Sequence, residues 1–433
     1  MNKGGPMYKK VMALALAGTM VMGVGSITVM AEDKPFDGTT LTFWAGNAEY
    51  NDGTKAVFDA IEEQTGIHVE VEINPGGSEG DNIIKTRIAS NDLPDFLCYN
   101  SGSKLYDLNP SRAFLDISDW DIVQKFDDAF LSSVTIDGAI YGAPQSSTQA
   151  GAVIYYKPDY EELGLEVPHT WDDFVSNCQA LADAGKTPVY FTGGETWATQ
   201  VLFLGDYYNV AAEYPTFAEE YTAGTAKYAD IPVATRSWTK YEDLVDFLNA
   251  DKSAATVEDG NMAIGFGEAT HWFILTQQLP QIIANADNPD DIGVFGVPGD
   301  DPENHGLTVW EPMSFYVNKD SENVDAVKAF LECYFSEDML NLYFETYGAN
   351  GPSCIKGYEL PDSVCNAVRV DMQQYFDEGK NTPALEYVSP IKGTTCEQLT
   401  VAVGLGQMSG AEAAAAYDED CKKSAVQLGY DWE

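Results

Sequence analysis

The sequence predicts an α/β protein of more than one domain, built on parallel-rich sheets flanked by helices. Three observations carry that prediction. Strand and helix periodicities alternate as β-α-β-α-β between Thr40 and Tyr99, an order that implies a parallel sheet with helices on its faces. The 433 residues are enough for two or three domains at ~100–200 residues each. A composition of 45% hydrophobic and 12% aromatic residues supplies packed cores and rules out wholesale disorder.

The elements follow in order. Thr40 to Trp44 is a short β run. Lys55 to Thr65 puts Val57, Phe58 and Ile61 on one helical face, and Gly66 stops the helix. Ile67 to Ile73 alternates apolar and polar residues, the mark of a strand with one buried face. A Gly-rich loop, Asn74 to Gly80, precedes a helix ending near Ala89, and Pro94-Asp95 separates it from the strand Phe96 to Tyr99. Asp137-Gly138 is a turn between short strands, and a polar run from Gln145 to Gln149 precedes the strand Ala152 to Tyr156. A domain crossing is expected near 144–150. Thr170 is an N-cap for a helix from Trp171 to Ala184. Helices are expected through 198–221 and 239–250. Gly260 to Gly267 reads as a buried strand ending in a Gly-rich bend, Ile292 to Val297 as a strand, and Leu307 to Val317 as one strand bearing Trp310 and Glu311. Val324 to Phe335 is an amphipathic helix, and the Ala-rich tail 410–428 is helical.

Charge and motifs exclude several functions. With 24 Lys+Arg against 68 Asp+Glu, the net charge is −44. Such a surface repels phosphate backbones and anionic lipids, so no nucleic-acid partner is expected. None of the four His forms a close metal-ligand pair, and neither a GxSxG elbow nor a Walker loop occurs. Asp287 to Gly293 is acidic but lacks the ligand spacing of a calcium loop. No metal or cofactor is expected. Carboxylate pairs suited to glycoside hydrolysis stay open among so many acids. Residues 1–31 read as an export signal: Lys3, Lys9 and Lys10, then an apolar stretch from Val11 to Val24, then Val29-Met30-Ala31 as a cleavage site. The uncleaved alternative is a membrane anchor. The seven Cys include no CxxC, and reduced, buried thiols are expected, with Cys354 and Cys365 the pair that could form a disulfide.

Several segments together resemble the extracellular solute-binding proteins of sugar-type ABC importers, the broad group that includes maltose-binding protein. Leu41 to Val71 resembles the family's opening, and Arg87 to Tyr99 its Ala-Ser-Gly-Asp-x-Pro-Asp-Val segment. Tyr141 to Pro144 resembles its Tyr-Gly-Val-Pro, and Ala152 to Lys157 its Leu-x-Tyr-Asn-Lys strand. Leu163 to Phe174 is similar to the Gly-Leu-x-x-Pro-x-Thr-Trp-Asp-Glu-Phe signature. Asp290 to Pro298 and Val324 to Phe335 complete the series in the family's order. Glu32 stands where many relatives carry a lipid-modified Cys, so a lipid anchor is not expected.

The resemblance implies a two-lobed, type II periplasmic-binding-protein-like fold with a ligand cleft between the lobes. Lobe one would be 32–145 plus 303–350, and lobe two 146–302 plus 351–433. It also implies a non-catalytic, monomeric receptor outside the cell that passes a carbohydrate to a membrane-embedded permease. A receptor for a polyamine or other solute, and a secreted glycoside hydrolase, are the alternatives.

A sugar offers an apolar C–H face and a ring of hydroxyls, which suit aromatic faces and polar acceptors. The candidates lie just past strand ends. After the first strand come Trp44, which reads equally as core, and Asn47 and Glu49, which read equally as solvated loop. Tyr99 and Asn100 end the strand after Pro94-Asp95, and Gln145 adjoins the crossing. Trp197, after Gly193-Gly194, is the favoured stacking platform. Of Glu268, His271 and Trp272, Trp272 is preferred over the His, and Glu268 is kept as a polar candidate. Trp310 and Glu311 complete the set, whereas Trp120 and Trp171 read as packing. These loops hold no Arg or Lys, which favours a neutral polyol over an anion.

Overall fold

The computed structural model describes residues 34–75 and 77–432; the expected export signal at 1–31 lies outside them. Strands β1 (Thr40–Gly46), β2 (His68–Asn74) and β3 (Phe96–Tyr99) run parallel. The helix Asp52–Thr65 joins the first two. It starts where Asn51 accepts from the Thr54 backbone N–H and stops at Gly66, whose φ of 82° suits glycine. Its buried Val57, Phe58 and Ile61 face the sheet. β2 is the sheet edge, so Val69 and Val71 are only half-buried while His68 and Glu70 face water.

Beyond a hairpin of β4 (Thr135–Ile136) and β5 (Ala139–Ile140), β6 (Gly142–Pro144) ends the first lobe's early segment. β7 (Gln149–Tyr156) then opens the second sheet, with β8 (Val189–Tyr190), β9 (His271–Leu275), β10 (Ile292–Gly296), β11 (Leu307–Trp310) and β13 (Asn381–Pro383). The remaining strand, β12 (Ser314–Val317), returns to the first sheet and gives the order β2-β1-β3-β12-β6. β7 is buried on both faces. Ala152 and Ile154 pack into the core shared with lobe one, while Val153 and Tyr155 pack into a separate second-lobe core, the alternation that a strand imposes.

The connection between sheets is an antiparallel ribbon. The chain leaves through Gln145 to Thr148 and returns through Glu311 to Met313, and the Gln145 N–H donates to the Met313 carbonyl at 2.8 Å. Beside it, the Thr148 N–H donates to the Pro352 carbonyl at 3.0 Å, and the Ser147 hydroxyl accepts from the Asn350 N–H at 3.0 Å. The first crossing lies between β6 and β7, which belong to different sheets. The return does not fall at 303, because β11 pairs with β7 and only β12 enters the first sheet. Ile355 likewise still bridges Phe126 of the first lobe, so the final passage to lobe two comes after 351.

Two expected elements differ. Gly260 to Gly267 is not a strand. It lies at the end of the helix Val257–Gly265, nucleated by a Thr256–Asp259 capping box. A short apolar run reads as either element until its cap is considered. Leu307 to Val317 is two strands in different sheets, broken at Pro312. The expected helix at 239–250 is Pro232–Leu244, with Pro232 in its first turn. The helices Trp171–Asp183 and Gly410–Gln427 form as expected, capped by Thr170 and Ser409. All seven Cys are free thiols, with Cys333 and Cys365 half-buried and the others buried.

One buried ion pair anchors the second lobe. Lys240 and Asp206 are each 1% exposed, with Nζ and Oδ1 2.5 Å apart. Lys240 also donates to the Pro298 carbonyl at 2.6 Å, and Asp206 accepts from Asn209 at 2.7 Å. This ties the helix Pro232–Leu244 to the segment after β10. Lys240→Met should cost about 3–5 kcal/mol in urea unfolding, because Asp206 is left buried and uncompensated. Adding Asp206→Asn should recover most of that loss. Equal midpoints for wild type and Lys240→Met would show that the pair does not hold this junction.

Candidate functional site

β1, β2 and β3 are parallel, so their carboxyl ends, Gly46, Asn74 and Tyr99, open on the same side. They face the second lobe across the crossing ribbon. Between them lies a central cavity of about 390 Å³, lined by Glu49, Asp81, Tyr99, Asn100 and Lys104 from lobe one. Gln149, Trp197, Gln200, Gln277, Trp310, Glu386, Tyr387 and Lys392 line it from lobe two, and Glu311 and Met313 from the crossing. A second cavity of about 400 Å³ shares Glu49, Gln149, Gln277 and Met313, and adds Asn47, Gln145, Asn261, Tyr343, Tyr347 and Asn350. A side groove of about 760 Å³ shares Lys104, Glu386, Tyr387 and Lys392 with the centre. Each lies within the roughly 300–1,000 Å³ usual for small-molecule sites.

The polar groups are organised in pairs. The Tyr99 hydroxyl donates to Asp81 Oδ1 at 2.6 Å, and Asp81 Oδ2 sits 3.2 Å from Lys104 Nζ. On the other lobe the Trp310 indole N–H donates to Glu386 Oε1, whose Oε2 takes Lys392 at 2.6 Å. Burial raises the Glu386 carboxyl, but Lys392 and the indole outweigh it and leave a net lowering. Glu49 is partly buried beside Gly46, and burial pushes its carboxyl up. Glu311 is buried, with Oε2 unpartnered. The Gln149, Asn261 and Asn350 side-chain oxygens around the cavities are also unpartnered.

Nine of the eleven candidates line one of these cavities. Glu49, Tyr99, Asn100, Trp197, Trp310 and Glu311 line the centre, and Asn47 the neighbouring cavity. Trp197 is half-buried, on a short helix after Gly194, whose absent side chain lets the loop lie on the Ala254–Ala255 backbone. Trp44 lies beneath the central cavity but is 1% exposed and belongs to the first-lobe core. Gln145 is buried and its amide donates to the Glu49 carbonyl at 3.2 Å and Thr54 Oγ1 at 3.0 Å, bracing the loop after β1.

Glu268 and Trp272 are the corrections. β9 runs toward the cleft, where Leu275 and Gln277 line it. Glu268 precedes the strand at its far end, and is exposed. At roughly 3.3 Å per residue, the length of β9 keeps it away from the cavity. Trp272 is mid-strand and buried, with its ring against Gly260 of the neighbouring helix. His271 is a satisfied core residue, its Nδ1 2.7 Å from the Pro188 carbonyl and its Nε2 2.7 Å from the Tyr160 hydroxyl. Trp120 and Trp171 are buried, as read.

The sequence reading missed Asp81, Gln149, Glu386, Tyr387 and Lys392. Asp81 follows the Gly-rich loop after β2, where strand-end reasoning reaches it. Glu386 and Tyr387 lie on a four-residue helix, Leu385–Val388, whose sequence carries no signal. Lys104 and Lys392 bring two cations into the cleft from outside the candidate loops, each paired with a carboxylate. Among the described residues no group of three or more His, Cys, Asp or Glu is placed to hold a metal ion, and no helix is long and apolar enough to cross a membrane.

Two α/β lobes, joined by crossing segments around a polar cleft, define a type II two-lobed solute-binding fold. The chain belongs to the bacterial extracellular solute-binding protein family, whose family model matches residues 46–339. It is 22% identical over 362 residues to the multiple sugar-binding protein of Streptococcus mutans, covering 81% of this chain and 83% of that one. It is 21% identical over 359 residues to the melibiose/raffinose/stachyose-binding protein MelE of Bacillus subtilis, covering 74% of each. The solved raffinose complex of the solute-binding protein RafE superposes with a TM-score of 0.75 at 19% identity, over 89% of this chain and 100% of that one. A chitin oligosaccharide binding protein superposes at 0.74 and 20% identity, over 90% and 99%.

Burial holds His271 neutral, lowering its pKa to about 3. The unfolded chain takes up a proton near pH ~6.5 that the native state refuses. Its contribution to stability is therefore complete above about pH 6.5 and is lost as pH falls toward about 3. The urea-stability gap between wild type and His271→Gln should narrow from about pH 7 to about pH 4.5. A gap independent of pH would contradict the buried neutral imidazole.

Proposed function

We propose that this chain is the extracellular receptor of an ABC importer. It captures a carbohydrate between its lobes, hands it to a membrane-embedded permease, and performs no chemistry on it. One observation carries the ligand class. The buried amide oxygens left without partners around the cleft are those of Gln149, Asn261 and Asn350, while both cationic side chains in the central cavity are already paired. Such a surface asks for many donors and offers no free cation to an anion. A polyol meets that demand, since each hydroxyl both donates and accepts.

Trp197 and Trp310 supply apolar faces for sugar C–H surfaces. Glu49, Tyr99, Asn100 and Glu311 are the polar contacts we assign from the sequence set, with Asn47 at the rim of the second cavity. Gln145 and Trp44 shape the site from beneath. The names of the sugar-binding relatives support the same reading. The moving bodies are 34–144 with 314–358, and 149–310 with 366–432. Ligand contacts made to both bodies bias the hinge toward closure, and the closed form is what a permease reads.

A polyamine receptor is the second reading. It is favoured by the acidic lining, in which Glu49 and Glu311 form no ion pair with a Lys or Arg among the described residues. A thermal-shift screen of raffinose, stachyose and chitin oligosaccharides against spermidine separates the two. A ligand at ~100 times its dissociation constant stabilises by about 2.7 kcal/mol. Neutral glycans should give the shift; a shift from spermidine alone, or release of cleaved sugar, would overturn the reading. Trp197→Ala should keep the unliganded melting temperature and lose the glycan shift, and a retained shift would remove Trp197 from the contact set.

A further inference from the structure

The strongest unmet demand in the cleft sits in the return crossing. Glu311 is 7% exposed, lines the central cavity, and leaves Oε2 without a partner. The next residue is Pro312, which has no N–H to offer. The titratable groups that face Glu311 are Asp127, at the start of the helix Asp128–Val134, the buried thiol of Cys354, and Tyr387. The Tyr387 hydroxyl is directed at the Glu311 backbone carbonyl at 3.4 Å, not at its carboxyl group. Across the cavity Lys392 is held by Glu386 and Lys104 by Asp81. No cation is therefore available to Glu311 among its described neighbours.

Resting on the carbohydrate reading, we propose that Glu311 contacts the ligand as a hydrogen-bond donor, its neutral carboxyl group giving Oε2–H to an uncharged ligand oxygen. A neutral carboxyl donates one hydrogen bond and accepts others, which matches a hydroxyl; an ionised one only accepts. Burial, then the charge of Asp127, pushes the Glu311 carboxyl up to about 8, so the neutral acid prevails in the empty cleft at pH ~7. Ligand that needs the proton binds more weakly as pH rises through that value.

The test uses the full chain and calorimetry with whichever of raffinose, stachyose and chitin oligosaccharide binds wild type most tightly. Affinity should fall about tenfold from pH ~7 to pH ~9. Glu311→Gln keeps a donor and cannot ionise, so its affinity should stay within a few-fold of wild type and lose the pH dependence. Glu311→Ala should bind at least about tenfold more weakly at pH ~7. Wild-type affinity that is flat or rises with pH, or a Gln variant as weak as the Ala variant, overturns the donor role. Infrared difference spectra of wild type against Glu311→Gln supply a ligand-free arm. They should show a protonated-carboxyl band at pH ~6 that is gone by pH ~10. Its absence at pH ~6 overturns the proposal even if glycans bind. If the band is present but no glycan binds, the carbohydrate reading fails instead, and the donor role with it.

Discussion

The two sheets meet at an antiparallel ribbon only a few residues wide, and the cleft is defined by it. The hydrogen bond from the Gln145 N–H to the Met313 carbonyl sets the register of the outgoing and returning segments. That register in turn fixes which strand ends confront each other. β1, β2 and β3 present their carboxyl ends from one side, and β7, β9 and β11 are aligned from the other by pairing with one another. Because Glu311 and Met313 belong to the ribbon itself, the connection between the lobes is part of the cavity wall. Under the proposed closure, a guest that touches this wall touches the element about which the lobes would turn.

The same arrangement reconciles a strongly acidic chain with a binding site for a neutral guest. A net charge of −44 makes any unpaired buried carboxylate costly. The cleft meets this by pairing: Asp81 with Lys104 and Tyr99, Glu386 with Lys392 and Trp310. These pairs fix side chains that would otherwise be mobile, so the lining is organised before a ligand arrives, which limits the ordering cost of binding. Glu49 and Glu311 stand outside that scheme, and burial pushes both carboxyls upward.

What was legible in the sequence was local. The alternation from Ile67 to Ile73, the Thr170 cap before Trp171 and the stop at Gly66 are set by neighbouring residues, and each forms. Strand-end reasoning reached the loops after β1 and β3, and so found Glu49, Tyr99 and Asn100 beside the cavity. It failed where long-range pairing decides. Trp272 sits mid-strand, and only the direction of β9 shows that Leu275 and Gln277, not Trp272, reach the cleft. Leu307 to Val317 reads as one strand until β11 and β12 are seen in separate sheets. Glu386, Tyr387 and Lys392 arrive from a distant segment through packing that leaves no periodic mark.

In the proposed function, two rigid lobes close over an uncharged, hydroxyl-rich guest and release it unaltered. Small-angle scattering of the purified protein, with and without a saturating oligosaccharide that calorimetry shows to bind, tests it most directly. A smaller radius of gyration in the bound state, with the sugar recovered intact, is the predicted result. An unchanged radius at saturation, or a cleaved sugar, would contradict it.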